Sequence, residues 1–282
     1  MKIEKIEKEA IINALRDSGK FCWGFCKFKD LTLDENTEAF YIPEKNCYYA
    51  VYTNKMPENR MFGKKMLLYY ISHDEKCHIP AEELNKLDCI QMPAEAFDTV
   101  KDKLAGFNAG GGYKLYYDYS HVPAADTGRY SVVEFDFSNE QHYIAASNML
   151  NQEEDEDWMM PDNIRKIASE YKRYAAFNPE LWIFAKANAE DKLIGVAISY
   201  FDEEVGQTDI DWVYVLPEFH GKGVGLFLMN ETVKRCKERS KDIRAVGDDF
   251  YKKCGFIEKE CTVYATKENF EFIHPSQPNI LL

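Results

Sequence analysis

The chain has 282 residues and a formal net charge of −13 at pH 7, and its eight cysteines include no C-x-x-C pair. This length suits two domains with apolar cores. So acidic a net charge argues against a nucleic-acid partner. The spacing of the cysteines predicts neither a disulfide framework nor a metal site. The charged N-terminal sequence MKIEKIEK and the lack of a long apolar run argue against a signal peptide and a membrane span, so a cytoplasmic protein is expected.

The first half of the chain, residues 1–125, is predicted to form an α+β domain of unknown role. Its apolar residues have helical spacing over Ile3–Arg16, strand-like runs at Cys47–Thr53 and Met66–His73, and a helix-like pattern over Ala94–Leu104. Two interpretations stay open: a degenerate copy of the fold of the second half, or an unrelated domain. We expect this half to shape an acceptor cleft or an oligomer interface, so a homodimer is one arrangement to consider.

The second half, residues 129–282, follows a linker-like stretch that contains Pro123 and Gly128. Alternation typical of strands and spacing typical of helices succeed one another in a regular order. Strands are predicted at 130–137, 181–187, 193–201, 208–216, near 243–246 and near 262–266, and helices at 139–150, 162–174 and 224–239. This order predicts an α/β fold with a mixed α+β sheet, in which a long helix follows the strand that ends near Leu216.

The connection between that strand and that helix is rich in glycine. It reads VLPEFHGKGVG, and its glycines at Gly221, Gly223 and Gly225 allow a sharp turn and the close approach of a ligand. The amides that follow belong to the first helical turn, where they lack intrahelical partners at the positive end of the helix dipole. A phosphate or pyrophosphate is the natural ligand. A dinucleotide fingerprint would need glycine at Leu226, and a Walker loop would need Ser or Thr directly after Lys222.

The glycine-rich segment resembles the acyl-CoA pyrophosphate loop of the GNAT acetyltransferase superfamily, R/Q-x-x-G-x-G/A. His220 stands at the Arg or Gln position, and Gly223 and Gly225 stand at the two glycine positions. A second segment, FYKKCGF at Phe250–Phe256, is similar to the F-Y-x-K-x-G-F signature that follows the next strand in that family. The resemblance covers residues 129–267 and implies a GNAT fold that transfers an acetyl group directly from acetyl-CoA to a primary amine.

The resemblance also implies where acetyl-CoA binds. Its pyrophosphate would lie against the glycine-rich segment, and its pantetheine arm would pair with the backbone of the strand that enters that segment. Arg244 stands where the family often has Asn, and it could reach a phosphate instead. The residues implied to bind the cofactor are Val213, Tyr214, Val215, His220, Gly221, Lys222, Gly223, Val224, Gly225 and Arg244.

Two acids are candidates for the base that activates the amine. A primary amine is mostly protonated at neutral pH, so a carboxylate close to it, directly or through one water, can take its proton. Asp209 and Asp211 lie on the strand that enters the glycine-rich segment, and strict alternation predicts both on one face with Val213 and Val215. In some members of the family a catalytic glutamate stands at the position of Asp209. Either acid could instead face solvent or an arginine on a neighbouring strand.

Two further sites are predicted from the resemblance and from charge. The position of Tyr251 in the second motif implies a general acid that protonates the leaving thiolate, and the alternative is a tyrosine that only packs in the core. Glu156, Asp157 and Trp158 belong to an acidic stretch between two predicted helices, which would attract a cationic small-molecule acceptor such as a polyamine. The alternative there is a solvated acidic loop. A CoA-binding or regulatory module without turnover is the competing hypothesis for the whole protein.

Overall fold

The computed structural model describes residues 1–18, 33–53, 65–119, 128–151, 160–247 and 249–267. The described chain divides into two compact units. The first unit comprises Met1–Leu115 together with residues 259–267, and the second comprises Tyr116–Glu258. This division differs from the predicted one at the C-terminal end, because the strand expected near residues 262–266 belongs to the first unit.

The first unit begins with β1 (Glu4–Ile6), α1 (Glu9–Ser18), β2 (Thr37–Ile42), β3 (Cys47–Thr53), β4 (Lys65–Ile71), α2 (Ala81–Leu84), β5 (Cys89–Pro93) and α3 (Ala94–Asp98). Strands β1 to β4 pair antiparallel in that order, whereas β4 and β5 run parallel. The helix predicted over Ile3–Arg16 is wrong at its start, because Glu4–Ile6 pairs with β2 and the helix begins at Glu9. β6 (Phe107–Tyr119) ends this half of the chain.

The second unit contains β7 (Tyr130–Glu134), α4 (Glu140–Leu150), α5 (Pro161–Tyr171), β8 (Trp182–Ala187), β9 (Lys192–Asp202), β10 (Gln207–Val215), α6 (Val224–Cys236), β11 (Asp242–Gly247) and α7 (Phe250–Lys253). Strands β7 to β10 pair antiparallel in that order, and β10 and β11 run parallel. The predicted mixed α+β order is therefore confirmed. Strand β9 is buried from Ile194 onward, which explains its almost continuously apolar sequence.

The last described strand is β12 (Phe256–Lys267). Its residues Thr262–Thr266 pair antiparallel with β5, from Thr262 opposite Pro93 to Thr266 opposite Cys89. The hydroxyl of Tyr264 donates a hydrogen bond to Oε1 of Gln91 at 3.0 Å, and both side chains are buried. The C-terminal strand thus completes the sheet of the first unit, although in sequence it follows the second.

The two units repeat one arrangement of elements. In the described residues, the first strand is followed by one helix in the first unit and by two helices in the second. Three strands, a helix, a further strand and a short helix then follow in both units. The pairing changes from antiparallel to parallel at the fourth of these five strands. Of the two interpretations of the first half, this shared order favours a degenerate copy of the second. The loop and the helix that follow the fourth strand differ between the units, and these segments carry the candidate site.

Candidate active site

The glycine-rich segment turns the chain from β10 into α6. A short 3-10 turn at Pro217–Phe219 leads out of the strand, and it begins with proline, whose fixed φ suits a first helical position. Gly221 and Gly223 both have left-handed backbones, with φ of 71° and 86°. A Cβ atom on either would meet no atom of the described structure within 4 Å. Glycine is therefore required here by the backbone conformation, and the space over the turn is open to a ligand.

The start of α6 presents free amides to that open space. The amide of Phe227 donates the first helical hydrogen bond, to the carbonyl of Gly223 at 2.9 Å. The amides of Val224, Gly225 and Leu226 precede that bond and, by helix geometry, have no intrahelical acceptor. A Cβ atom on Gly225 would lie 2.9 Å from the ring of Phe250, so this glycine is needed for close packing. Such an arrangement suits an anion, which the positive end of the helix dipole would attract.

Two side chains hold the glycine-rich segment in place. The hydroxyl of Tyr130 on β7 donates to the backbone carbonyl of Lys222 at 2.8 Å. Nε2 of His220 lies 2.8 Å from the carbonyl oxygen of Val215, and because a carbonyl only accepts, this nitrogen carries the proton. His220 therefore bonds back to the end of β10, and its contact with a cofactor stays a prediction. The Lys222 ammonium is exposed and lies 4.9 Å from the centre of the Phe219 ring.

β10 and β11 are paired along only part of their length in the described residues. Their parallel register runs from Gln207 opposite Asp242 to Ile210 opposite Ala245. Beyond Ile210, β10 continues to Val215 alongside β9. Val213, Tyr214 and Val215 are half-buried in that continuation. An edge of β10 that has left β11 can offer its backbone groups to a ligand.

A β-bulge separates the two candidate bases. Ile210 lies opposite Ser199 and Trp212 lies opposite Ile198, so Asp211 is an extra residue in β10. The register puts Asp209 on the face of Tyr200 and Ile198, whereas Val213 is on the face of Ser199 and Ala197. The predicted common face of Asp209 with Val213 and Val215 is therefore wrong, because strict alternation fails at a bulge.

The two acids have different surroundings. Asp209 lies opposite Tyr200 on β9 and opposite Arg244 on β11. Arg244 is 1% exposed, and its Nη2 is 2.8 Å from Oδ2 of Asp242, so its guanidinium is held by the protein rather than extended toward the glycine-rich segment. Asp211 is partly exposed at the bulge. Burial raises the pKa of Tyr200 well above its ordinary value, and repulsion from Tyr171 and from the Asp211 carboxylate raises it further.

Tyr251 lies in α7 and is 6% exposed. Its ring centre is 5.3 Å from that of Phe250 and 5.9 Å from that of Phe256, in edge-to-face contacts. A Cβ atom on Gly247, at the end of β11, would lie 2.9 Å from the Tyr251 ring. The ring thus packs in the core beside the glycine-rich segment, as the alternative interpretation expects. Its role as an acid stays a prediction.

The remaining site residues divide into those the structure does not describe and those that sequence reasoning missed. Glu156, Asp157 and Trp158 lie outside the described residues. Tyr130 was predicted only as a strand residue, and nothing in the sequence indicates its bond to Lys222. Gly195 was also missed: a Cβ atom there would lie 3.0 Å from Leu228 and 3.1 Å from the carbonyl of Tyr214. A glycine inside an apolar strand is a recognisable signal of such a close approach.

A comparison with known protein families matches the part of the chain that carries this candidate site. Residues 145–256 match the model of the acetyltransferase (GNAT) family. None of the curated proteins matches the sequence. Across the described residues, no helix has the length and apolar character needed to cross a membrane.

Solved structures of the same fold extend over both halves of the chain. The chain is similar to a GCN5-related N-acetyltransferase from Sphaerobacter thermophilus, with a TM-score of 0.57, 14% identity and coverage of 89% of this chain and 86% of that one. The chain is also similar to an acetyltransferase of the GNAT family from Colwellia psychrerythraea, with a TM-score of 0.54 and 11% identity. That match covers 95% of this chain and 100% of the other. A tandem GNAT protein from the clavulanic acid biosynthesis pathway is similar with a TM-score of 0.51 and 11% identity. That match covers 94% of this chain and 98% of the other. At such identities the likeness establishes the fold.

Proposed function

Residues 145–256 form a domain of the acetyltransferase (GNAT) family, and from that premise we propose that the protein is an N-acetyltransferase that moves an acetyl group from acetyl-CoA to a primary amine. The observation that carries the proposal is the glycine-rich segment. In this segment the first amides of α6 lie next to Gly221 and Gly223, over which there is open space. The segment follows the end of β10, where β10 is no longer paired with β11. A small cationic molecule, such as a polyamine, is the proposed acceptor.

The residues at this site fit acetyl-CoA. The amides of Val224 and Gly225 would bind the pyrophosphate, because they point from a helix N-terminus and lack intrahelical acceptors. The edge of β10 beyond its pairing with β11, at Val213 and at the amide of Val215, would hold the pantetheine arm by backbone hydrogen bonds, since the Val215 carbonyl already accepts from His220. Bound in this way, acetyl-CoA supplies an activated thioester to the acceptor amine.

Asp211 is the better-placed base of the two candidates. A primary amine must lose a proton before it attacks, which at neutral pH costs roughly 4 to 5 kcal/mol. Asp211 is partly exposed at the bulge, just beyond the last residue of β10 that pairs with β11. Asp209 lies within the region of β10 that pairs with β11, opposite Arg244, and so lies farther from the edge of β10 where the acceptor would bind. We therefore propose that the Asp211 carboxylate accepts the proton from the amine, with Asp209 as the alternative base.

Tyr251 is the proposed acid for the departing sulfur. A phenol with an ordinary pKa near 10 is protonated at neutral pH and can donate to a thiolate. Its ring is fixed by contacts with Phe250 and Phe256, and Phe250 also contacts the start of α6 at Gly225. The acid would thus be held by the same packing that fixes the glycine-rich segment.

A CoA-binding module without turnover is the second candidate. The observation that favours it is that His220 and Arg244, both at motif positions, bond to groups of the protein itself. A cytoplasmic location, the lack of nucleic-acid and membrane partners, and a homodimer stay predictions under either candidate.

The test is the release of the CoA thiol from acetyl-CoA in the presence of a panel of primary amines, with polyamines first. An enzyme releases thiol only when a suitable amine is present. Tyr251→Phe should then lower the rate and leave the dissociation constant of acetyl-CoA unchanged. Binding of acetyl-CoA with no amine-dependent release across the panel would support the second candidate, and no binding at all would remove both.

A further inference from the structure

We propose that Tyr130 is a positioning residue for the phosphate groups of CoA. The inference rests on the proposed function, and it concerns a residue far from both sequence motifs. Its hydroxyl donates to the carbonyl of Lys222, 92 positions further along the chain, at 2.8 Å. Lys222 stands between the two left-handed glycines, Gly221 and Gly223. Tyr130 therefore contacts the one carbonyl in the middle of the turn.

The ring of Tyr130 is itself firmly placed. The residue is 6% exposed and belongs to a core cluster with Val224, Phe227 and Leu228 of α6. Its ring centre is 5.7 Å from that of Phe227, with the planes tilted by 56°. Because a buried ring has few alternative rotamers, the position of its hydroxyl is set before any ligand binds.

The hydrogen bond fixes the plane of one peptide group. The carbonyl of Lys222 and the amide N–H of Gly223 belong to the same trans peptide, and in a trans peptide these two groups point in opposite directions. A carbonyl directed at Tyr130 therefore directs the Gly223 N–H away from Tyr130. A Cβ atom on Gly223 would meet no other atom within 4 Å, so a ligand has room to approach this glycine.

Without this bond the same peptide could turn over. Glycine accepts either sign of φ, so the residue that allows the tight turn also allows the peptide between Lys222 and Gly223 to rotate by half a turn. In the rotated form a carbonyl oxygen, and not an N–H, would face the ligand, and it would repel a phosphate. The Tyr130 hydroxyl stabilises the orientation that attracts an anion.

The experiment compares Tyr130→Phe with the matched variant Tyr143→Phe. Tyr143 is 4% exposed in α4, and its hydroxyl donates to the carbonyl of Phe137 at 3.0 Å, so both variants lose one buried bond from a phenol to a carbonyl. The dissociation constant of CoA is measured by calorimetry, and the unfolding temperature is recorded for each protein. We expect similar unfolding temperatures for the two variants, with CoA binding weakened by about 3- to 10-fold in Tyr130→Phe alone.

A spectroscopic measurement separates peptide orientation from general loosening. With nitrogen-15 glycine, the amide resonance of Gly223 should shift or broaden in Tyr130→Phe, whereas that of Gly195 on β9 should stay in place. Unchanged CoA affinity in Tyr130→Phe, or an equal loss in Tyr143→Phe, would overturn the inference. If the wild-type protein binds no CoA, the proposed function itself fails and the role of Tyr130 fails with it.

Discussion

The two units of this protein share an order of elements but differ at one connection. In the second unit the fourth strand leads through a glycine-rich turn into α6, which has 13 residues. In the first unit the fourth strand leads through residues 72–80 into α2, which has four residues and begins after Pro80 without a side-chain cap. So short a helix has almost no dipole to attract an anion. The shared framework is thus compatible with a phosphate site in one unit and with none in the other.

In the connection of the first unit, polar groups form hydrogen bonds with one another. Nε2 of His78 lies 2.6 Å from Oδ1 of Asp74, and Ser72 donates to the same carboxylate oxygen at 3.0 Å. The hydroxyl of Tyr70 donates to the carbonyl of Lys76 at 2.6 Å and accepts from the amide of His78 at 3.0 Å. A carboxylate at the centre of this turn would repel a phosphate, where the second unit offers free amides.

The fourth strands also share a bulge. The register between β3 and β4 shifts between Tyr48 and Ala50, where β4 carries an extra residue, and Tyr69 in that stretch has a φ of 55°. The corresponding bulge on β10 holds Asp211. Tyr69 is 2% exposed, so the first unit has a buried aromatic residue where the second has a partly exposed acid. The bulge and the following turn, and not the order of the strands, therefore distinguish the unit that carries the candidate site from the other unit.

The largest expected effect comes from the acid at the bulge. Asp211→Asn should reduce amine acetylation by about 100- to 10,000-fold, because it removes the proposed base while keeping its size. Asp74→Asn, in the turn of the first unit, should leave the rate unchanged. The rate is measured at saturating acetyl-CoA. If Asp209→Asn abolishes turnover and Asp211→Asn does not, the two acids exchange roles.

The next effect concerns the apolar cores. Leu228 in the second unit and Leu67 in the first are both fully buried, and replacing either by Ala should lower the free energy of unfolding by about 2 to 5 kcal/mol. Leu228 lies near the start of α6 and shares a core cluster with Val224 and Tyr130, so Leu228→Ala should also weaken acetyl-CoA binding. Acetyl-CoA should still raise the unfolding temperature of Leu67→Ala by as much as in the wild type. A loss of that shift would mean that the first unit takes part in binding.

A smaller effect is expected from two glycines with matching backbones. Gly223 and Gly106 both have left-handed φ, 86° and 73°, and neither has an atom within 4 Å of its absent Cβ. Valine at such a position costs about 1 to 3 kcal/mol of backbone strain. The Gly223→Val variant can relieve this strain by abandoning the turn that binds the ligand. Its binding of acetyl-CoA should therefore be weaker by roughly 5- to 150-fold. Gly106→Val should leave the dissociation constant within error, and calorimetry decides between the two.

The smallest effect is the pH dependence of the turn in the first unit. Burial opposes the ionisation of Asp74, but hydrogen bonds from His78 and Ser72 outweigh it and lower the pKa of this carboxyl. A lowered folded-state pKa means that the carboxylate stabilises the fold above the unfolded pKa near 4 and stops doing so as the pH falls through the folded value. Its carboxylate is 53% exposed, so solvent screening limits the effect to about 0.5 kcal/mol or less.

Urea unfolding of the wild type and of Asp74→Asn measures this difference. At neutral pH the variant should be slightly less stable, and the difference should vanish in strongly acidic solution. A difference that grows on acidification would contradict the assigned sign.

The sequence predicted the second unit well because its patterns are local. Alternation and helical spacing located β7 to β11, and the glycines located the turn before α6. The bulge at Asp211 was missed because an inserted residue leaves the amino-acid pattern unchanged and shifts only the register. The bond from Tyr130 to Lys222 was missed because it joins residues that are distant in sequence. The pairing of β12 with β5 depends on the fold of the whole chain, so no local pattern could indicate it.

The most direct test of the account is a calorimetric titration of the full chain with acetyl-CoA. One molecule should bind per chain, and Gly223→Val should weaken that single event whereas Gly106→Val should not. Two binding events per chain would show that the first unit also holds the cofactor. No binding, or binding that survives Gly223→Val without loss, would contradict the assignment of the glycine-rich segment as the acetyl-CoA site.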